Sequence, residues 1–205
     1  MKKLVAWAKT YEVGVVSDLA YGALGYQGYE NPSFLSTPGA KDVGIEFYTF
    51  SKTFNMAGWR LAFAAGNDQM IEALNLIQDH LFVGIFPALQ EAGIAALLDP
   101  KSEEAVAQLN ATYDSRRDAF VQAAAKIGWQ AFPSRGSFYA WMPVPEGYTS
   151  ESFADLLLEK VHVAVAPGKG FGPAGDAYVR IGLLVEPERL VEAVDRIANL
   201  QLFNN

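Results

Sequence analysis

Two apolar segments flank the turn Tyr48-Thr49-Phe50-Ser51-Lys52-Thr53-Phe54-Asn55-Met56-Ala57-Gly58-Trp59-Arg60. Residues 43–50 lead into it and are predicted to form a buried strand, and residues 61–65 begin a second strand directly after it. Lys52 and Arg60 are therefore expected between two core strands. Burying a lysine is costly while its amine is charged, so burial favours an amine that is neutral or covalently bound.

A carbonyl cofactor that forms a Schiff base with Lys52 would meet this requirement. Pyridoxal phosphate also needs hydroxyl and guanidinium groups around its phosphate, and Ser51 and Arg60 carry those groups. The alternative is a surface turn in which the lysine extends its ammonium group to water and the arginine forms an ion pair.

The composition excludes several classes of function. The chain has 205 residues, of which 51% are hydrophobic and 19% charged, with a net charge of -7 and no cysteine. A nucleic-acid partner is not expected, because the chain is acidic and carries no basic block. Disulfides, thiolate metal sites and a cysteine nucleophile are excluded, and two histidines are too few for a histidine cluster that binds a metal.

The first residues predict an amphipathic helix with Leu4, Val5 and Ala8 on one face, rather than a signal peptide. No uncharged apolar segment of about 18 residues is present, so no membrane span is expected. A cytoplasmic location follows by default.

Residues 13–18 are predicted to form a parallel strand buried on both faces. Ligand groups gather at the carboxyl ends of such strands, which makes Asp18 a candidate site residue. Residues 21–41 are rich in glycine and aromatic residues and predict a loop. A helix over residues 67–82 is expected to place Ile71, Leu74, Ile77 and Leu81 on one face.

The second half predicts a small α+β unit of strands and helices in the order β-α-β-β-α. Phe138, Tyr139 and Trp141 lie in its first strand and are interpreted as core, and Ser150 is expected to cap the next helix. The expected elements are helices over residues 88–98, 102–127, 151–160 and 187–202, and strands over residues 136–141, 161–166 and 178–185. We place the domain boundary near residue 100, which gives domains 1–100 and 101–205.

Four motifs resemble one known family, the fold-type-I pyridoxal-phosphate aminotransferases of class I/II. They are Ser17-Asp18-Leu19-Ala20-Tyr21, Tyr48-Thr49-Phe50-Ser51-Lys52, Ala57-Gly58-Trp59-Arg60 and Tyr178-Val179-Arg180-Ile181-Gly182. Their order and spacing match the family across all 205 residues. The resemblance implies an α/β fold: the C-terminal part of the cofactor-binding large domain, with a mainly parallel sheet, followed by a small α+β domain.

The resemblance also implies roles for individual residues. Lys52 would hold pyridoxal 5'-phosphate as a Schiff base and move the proton at the substrate α-carbon. Asp18 would pair with the pyridine nitrogen, and Tyr21 would hydrogen-bond the phenolic oxygen of the ring. Ser51 and Arg60 would bind the phosphate. Without the resemblance, a helix or turn cap is the commoner use of a strand-end aspartate such as Asp18, and an ordinary loop aromatic is the favoured interpretation of Tyr21.

Arg180 would bind the substrate α-carboxylate. It lies in an apolar strand, where burying an unpaired arginine would destabilise the fold, so burial predicts an anionic partner. An internal glutamate such as Glu186 is the alternative partner.

Within the family, residues 39–46 and 143–150 resemble the branch that includes the methionine-salvage aminotransferases. The chain corresponds to about the C-terminal half of the family's usual length. The family's glycine/serine phosphate loop and its ring-stacking aromatic are not among the 205 residues. We therefore expect a homo-oligomer such as a dimer, or a chain that depends on a partner fragment. A carbon–sulfur lyase of the same fold, and a non-catalytic assembly or regulatory module, are the alternative functions.

Overall fold

The computed structural model describes residues 1–132 and 134–203. The chain divides into two compact units, residues 1–109 and 110–205, and the division falls inside one long helix. The two units are described separately below. In the described residues, no helix is both long enough and apolar enough to cross a membrane.

The first unit is built around a three-stranded sheet in the order β1-β2-β3. β1 pairs with β2 in parallel, and β2 pairs with β3 in antiparallel orientation. The elements are α1 (Lys2–Tyr11), β1 (Val15–Asp18), β2 (Gly44–Thr49), α2 (Phe50–Thr53), β3 (Ala62–Gly66), α3 (Asp68–Leu81), α4 (Pro87–Leu98) and the first turns of α5 (Ser102–Lys126).

One expectation about burial in this unit is wrong. β1 is not buried on both faces, because its residues alternate between half-buried and exposed, and Val16 is 61% exposed. The helix expected over residues 67–82 is present as α3, but none of its residues is buried, and Ile71 and Leu74 on its apolar face are only half-buried. Both surfaces lie open because no described element of this unit covers them.

The second unit pairs its strands in the order β4-β6-β5, all antiparallel. It contains the rest of α5, then β4 (Tyr139–Pro143), α6 (Ser150–Val161), β5 (Ala166–Pro167), β6 (Tyr178–Gly182) and α7 (Pro187–Ala198). The expected β-α-β-β-α order is therefore confirmed. One face of the sheet packs on the helices through Ala140, Met142, Val179 and Ile181, which lie in one core cluster with residues of α5, α6 and α7.

Local structure corrects three boundaries in this unit. The helix α6 ends at Val161, and His162 follows it in the left-handed conformation at φ 56°, so the strand expected over residues 161–166 shrinks to β5. The cap of α6 is Thr149 rather than Ser150, because the hydroxyl of Thr149 accepts from the backbone N–H of Ser152 and the hydroxyl of Ser152 accepts from the N–H of Thr149. The last helix ends at Ala198.

Candidate active site

The carboxyl ends of β1 and β2 meet at one edge of the first sheet. Parallel pairing sets Asp18, the last residue of β1, opposite Phe47. β2 ends two residues later at Thr49, and α2, which carries Lys52, begins at Phe50. The acid and the amine therefore come from the same edge, where open α/β sheets bind ligands. The side chain of Asp18 is exposed there.

Lys52 and Tyr21 are brought into direct contact. The Nζ of Lys52 lies 5.7 Å from the centroid of the Tyr21 ring, which is within range of a cation–π attraction. Both residues are half-buried. Tyr21 lies 31 positions before Lys52 in the chain, so this contact depends on the tertiary fold.

Hydroxyl groups fix the short helix that carries Lys52. Thr49 caps it, since its hydroxyl accepts from the backbone N–H of Ser51 at 3.1 Å. Beyond Lys52, the hydroxyl of Tyr48 donates to that of Thr53 at 2.8 Å. These two contacts hold the backbone on either side of the amine.

The loop that carries Tyr21 is closed by the amide of Asn31. Its Nδ2 donates to the carbonyls of Tyr21, Gly22 and Leu24 at 3.1, 3.2 and 3.1 Å. One side chain thus holds three carbonyl groups of a tight turn. Sequence analysis missed Asn31, and its position between Glu30 and Pro32 in a loop gives no signal of this role.

A buried carboxylate ties the same loop to the sheet. Glu46, only 7% exposed on β2, accepts from Ser17 Oγ at 2.9 Å, from Ser33 Oγ at 2.6 Å and from the backbone N–H of Phe34 at 2.7 Å. Buried charge is tolerated when hydrogen bonds satisfy it. Glu46 therefore joins β1, β2 and the end of the Tyr21 loop.

Ser51 and Arg60, the two candidate phosphate-binding residues, form hydrogen bonds with different partners. The hydroxyl of Ser51 is 3.0 Å from that of Thr49. Arg60 is exposed, adopts the left-handed conformation at φ 53°, and its Nη1 donates to the carbonyl of Ala57 at 2.9 Å. The guanidinium thus folds back on its own turn rather than toward Ser51.

Arg180 lies in the second unit, half-buried on β6. The centroids of the Tyr139 and Phe171 rings lie 4.1 and 4.2 Å from its Cζ. Glu186, the alternative internal partner, instead accepts from Arg116 Nη2 at 2.7 Å. The interpretation of Glu186 as the partner of Arg180 is therefore wrong.

The aromatic residues of β4 are also corrected. Tyr139 and Trp141 alternate with the buried Ala140 and Met142, so they lie on the sheet face opposite the core. Trp141 is paired with Arg180 in the register of the sheet. The alternation is visible in the sequence, where it was interpreted as core, but only the register of the sheet and the ring contact place these residues beside the arginine.

The loop that carries Phe171 is fixed by close backbone contact and by one carboxylate. Asp176 accepts from the hydroxyl of the buried Ser150 at 2.8 Å and from its backbone N–H at 3.2 Å. These two hydrogen bonds lower the pKa of Asp176 below its ordinary 3.8, and the one from the hydroxyl contributes more than the one from the backbone. A hydrogen bond to Glu151 raises the pKa of Lys169 above its ordinary 10.5.

Comparison with known proteins agrees with this arrangement. The family model described as aminotransferase class I and II matches residues 1–197. The chain belongs to the class I and II aminotransferases. The resemblance drawn from the sequence is thereby confirmed, and with it the α/β fold and the use of pyridoxal phosphate by the family.

Relatives with a function in their names point to the same family. The L-glutamine–4-(methylsulfanyl)-2-oxobutanoate aminotransferase of Bacillus subtilis is 57% identical over 199 residues, which are 97% of this chain and 50% of that protein. The LL-diaminopimelate aminotransferase of Moorella thermoacetica is 45% identical, over 96% of this chain and 50% of that protein. The chain thus spans about half the length of these relatives.

Solved structures share the fold. Apo BacF from Bacillus subtilis superposes with a TM-score of 0.92 at 44% identity, covering 98% of this chain and 51% of that one. The aromatic aminotransferase from Pyrococcus horikoshii gives a TM-score of 0.92 at 32% identity, with 97% of this chain and 54% of that one covered.

The residues of the first unit fit the family's cofactor. A half-buried amine, an exposed carboxylate and a phenol lie at one sheet edge, and the hydroxyl of Ser51 adjoins the amine in sequence. A carbonyl group, a ring nitrogen and a phosphate each require one of these chemistries. Within the described residues, Asp18 forms no hydrogen bond or ion pair that competes with such a ligand.

Proposed function

We propose that this chain takes part in pyridoxal-phosphate-dependent transfer of an amino group between an L-amino acid and a 2-oxo acid. The observation that carries the proposal is the contact between Lys52 Nζ and the Tyr21 ring, at the edge where Asp18 ends β1. Pyridoxal phosphate, when bound, supplies a carbonyl carbon for the amine and a ring that takes up electrons.

Lys52 is the group that would bind the cofactor covalently and move the proton at the substrate α-carbon. The contact with Tyr21 and the capped helix α2 restrict where Nζ can reach. Proton transfer needs a heavy-atom separation of about 3 Å, so this restriction serves the chemistry.

The remaining residues of the first unit would orient the cofactor. The carboxylate of Asp18 would pair with the ring nitrogen and keep it protonated. The phenol of Tyr21 would donate to the oxygen on the ring. Ser51 would donate a hydroxyl to the phosphate, and Arg60, which uses Nη1 on its own turn, would turn its other N–H groups to the same anion.

In the second unit, Arg180 would hold the α-carboxylate of the substrate through its planar fork. The name of the Bacillus subtilis relative suggests the substrates: L-glutamine as amino donor and 4-(methylsulfanyl)-2-oxobutanoate as acceptor. A substrate with a neutral thioether or aromatic side chain also agrees with the branch resemblance.

We infer that the chain acts as a homo-oligomer, most simply a dimer, or together with a further polypeptide segment. Four large apolar side chains near the end of α3 support this, because they are 66–89% exposed: Leu81, Phe82, Val83 and Phe86. An exposed apolar segment of this kind is typical of an interaction surface.

The function is tested by product analysis. The chain is mixed with pyridoxal phosphate, L-glutamine and 4-(methylsulfanyl)-2-oxobutanoate, and methionine is measured by chromatography. We expect methionine from the wild type and none from Lys52→Ala. Release of homocysteine, pyruvate and ammonia from L-cystathionine in a parallel incubation would indicate a β-eliminating lyase. A folded chain that yields neither set of products would contradict catalysis by this polypeptide.

A further inference from the structure

The guanidinium group of Arg180 is in contact with two aromatic rings. Tyr139, from β4, and Phe171, from the loop before β6, place their ring centroids 4.1 and 4.2 Å from its Cζ. A ring stacked on a guanidinium covers the flat face of the guanidinium. It accepts no hydrogen bond from the N–H groups, which point outward in the guanidinium plane. These contacts therefore leave the forked edge of Arg180 available.

Arg180 also has no anionic partner in the part of the chain that the structure describes. None of the ion pairs formed there includes it. Glu186, six residues after it, is bound to Arg116, and Asp176, four residues before it, accepts from the hydroxyl of Ser150. A half-buried arginine with five N–H donors and two aromatic rings against its guanidinium is suited to binding an anion from outside the chain.

The fold holds Phe171 in place, although its ring is 52% exposed. The edge of the Trp141 ring packs against it at a centroid distance of 5.8 Å, and Trp141 in turn stacks on Tyr178 at 5.5 Å. The loop itself is closed where the backbones of Gly168 and Gly175 touch. Phe171 thus belongs to an ordered aromatic surface around Arg180.

We propose that Tyr139 and Phe171 are positioning residues for Arg180, holding its guanidinium so that its N–H edge meets the α-carboxylate of an amino acid. This inference rests on the proposed function, for which Arg180 is the carboxylate-binding residue. The rings restrict the rotamers of a flexible side chain before the ligand arrives, which lowers the ordering cost of binding. They also replace part of its hydration without neutralising its charge.

The test uses the whole 205-residue chain labelled with ¹⁵N-arginine and studied by NMR without cofactor. Stacked rings shift the Arg180 Nε–Hε proton upfield, and Arg180→Lys identifies that signal by removing it. L-Methionine is the carboxylate probe, and 3-(methylsulfanyl)propylamine, which lacks the carboxyl group, is its matched control. The variants are Tyr139→Leu and Phe171→Leu, with Tyr139→Phe and Phe171→Tyr as substitutions that retain a ring.

We expect each leucine variant to lose part of the upfield shift and to bind L-methionine about fivefold more weakly. The variants that retain a ring should keep both properties. Phe132→Leu removes a ring of similar exposure, 59%, that forms no ring contact with Arg180, and it should behave as wild type. If a ring only supported the fold, replacing it would lower the stability of the chain but would not change the Arg180 chemical shift and the affinity for L-methionine together.

Three results would overturn the inference. They are an unshifted Arg180 signal in the wild type, leucine variants with unchanged affinity, and equal binding of the carboxyl-free amine. Because the measurement needs neither pyridoxal phosphate nor Lys52, it can succeed where product formation fails. Failure of this inference can therefore be distinguished from failure of the proposed amino-transfer function.

Discussion

Asn31 shows how one side chain can determine the geometry of a candidate site. Its amide donates to three carbonyl groups in the turn that carries Tyr21, and the Tyr21 ring in turn contacts the amine of Lys52. The amide adds to two backbone hydrogen bonds of the same turn, from Gly22 N–H to Leu19 and from Leu24 N–H to Tyr21. The position of Tyr21 thus depends on a residue that would not itself touch the cofactor.

Replacing Asn31 by alanine should cost about 1–2 kcal/mol, because it removes the side-chain donor from three carbonyl groups of the turn. Urea unfolding measures this loss, and faster hydrogen exchange at the amides of Gly22 and Leu24 would localise it. Asn31→Asp is the matched variant, since it keeps the shape but directs carboxylate oxygens at three carbonyls. It should be the more destabilising of the two, and an aspartate variant as stable as wild type would contradict this role for the amide.

The carboxylate of Asp176 makes the stability of the loop that carries Phe171 depend on pH. Its pKa is lowered in the folded chain by the hydrogen bonds from Ser150, with a smaller contribution from Lys169, which is itself paired with Glu151. A lowered pKa contributes stability above the ordinary value of 3.8, and that stability is lost as the pH falls through the folded pKa.

Asp176→Asn keeps an acceptor for Ser150 but removes the titration. The free energy of unfolding should therefore fall less for this variant than for wild type between about pH 6 and about pH 3. Denaturation at both pH values measures the difference. Glu192, whose pKa is lowered by hydrogen bonds from Arg189 and Arg196, titrates in both proteins and does not affect the comparison. Parallel losses in the two proteins would contradict the assignment.

At the scale of elements, the glycine-rich loop between β5 and β6 is shaped by contact between two backbones. A Cβ added to Gly175 would lie 2.1 Å from the carbonyl oxygen of Gly168, and one added to Gly168 would lie 2.2 Å from that of Gly175. Neither oxygen can move aside as a flexible side chain would. The loop therefore needs glycine at both positions.

Gly175→Ala should destabilise the chain by about 2 kcal/mol, as overpacking typically does. It should also reduce the upfield shift of the Arg180 signal, because Phe171 lies on the same loop. Gly170→Ala is the control, since a Cβ there meets nothing within 4 Å. Thermal unfolding of the two variants compares them directly, and equal stability would rule out this account of the loop.

The sequence predicted those elements whose determinants are local, and it placed the candidate site residues near strand ends. Ser51 and Lys52 fall in one motif, Arg60 in the next, and Asp18 and Tyr21 in another, so this grouping followed from the order of strands. Contacts between distant segments were missed: Asn31 to the turn at Tyr21, and Phe171 to Arg180. The cap of α6 was placed one residue late because Thr149 and Ser150 both carry capping hydroxyls, and only the geometry at Ser152 distinguishes them.

At the scale of the whole molecule, the first unit leaves a run of large apolar side chains exposed to water, which is typical of an interaction surface. The helix α3 has no buried residue, and the segment after it contains Val83, 89% exposed and left-handed at φ 61°. The composition predicted a compact core, but burial also needs partner surfaces, and these are not found among the described residues of this unit.

We expect the chain to self-associate through this segment. Phe82→Asn combined with Val83→Asn should shift it toward monomer, and asparagine also tolerates the left-handed backbone at position 83. Sedimentation velocity over a range of concentrations measures the change. Phe132→Asn with Leu158→Asn, which alters two exposed apolar residues of the second unit, should leave association unchanged. A monomeric wild type, or equal effects of the two double variants, would contradict this surface.

The most direct test of the account is where the cofactor attaches. The chain is incubated with pyridoxal phosphate, reduced with borohydride, digested and examined by mass spectrometry, beside Lys52→Ala and the exposed-lysine control Lys41→Ala. We predict that the reduced cofactor is found on Lys52 in the wild type and in Lys41→Ala, and that this label is absent from Lys52→Ala. Label spread evenly over exposed lysines such as Lys41 and Lys101, with no preference for Lys52, would contradict a cofactor site in this chain.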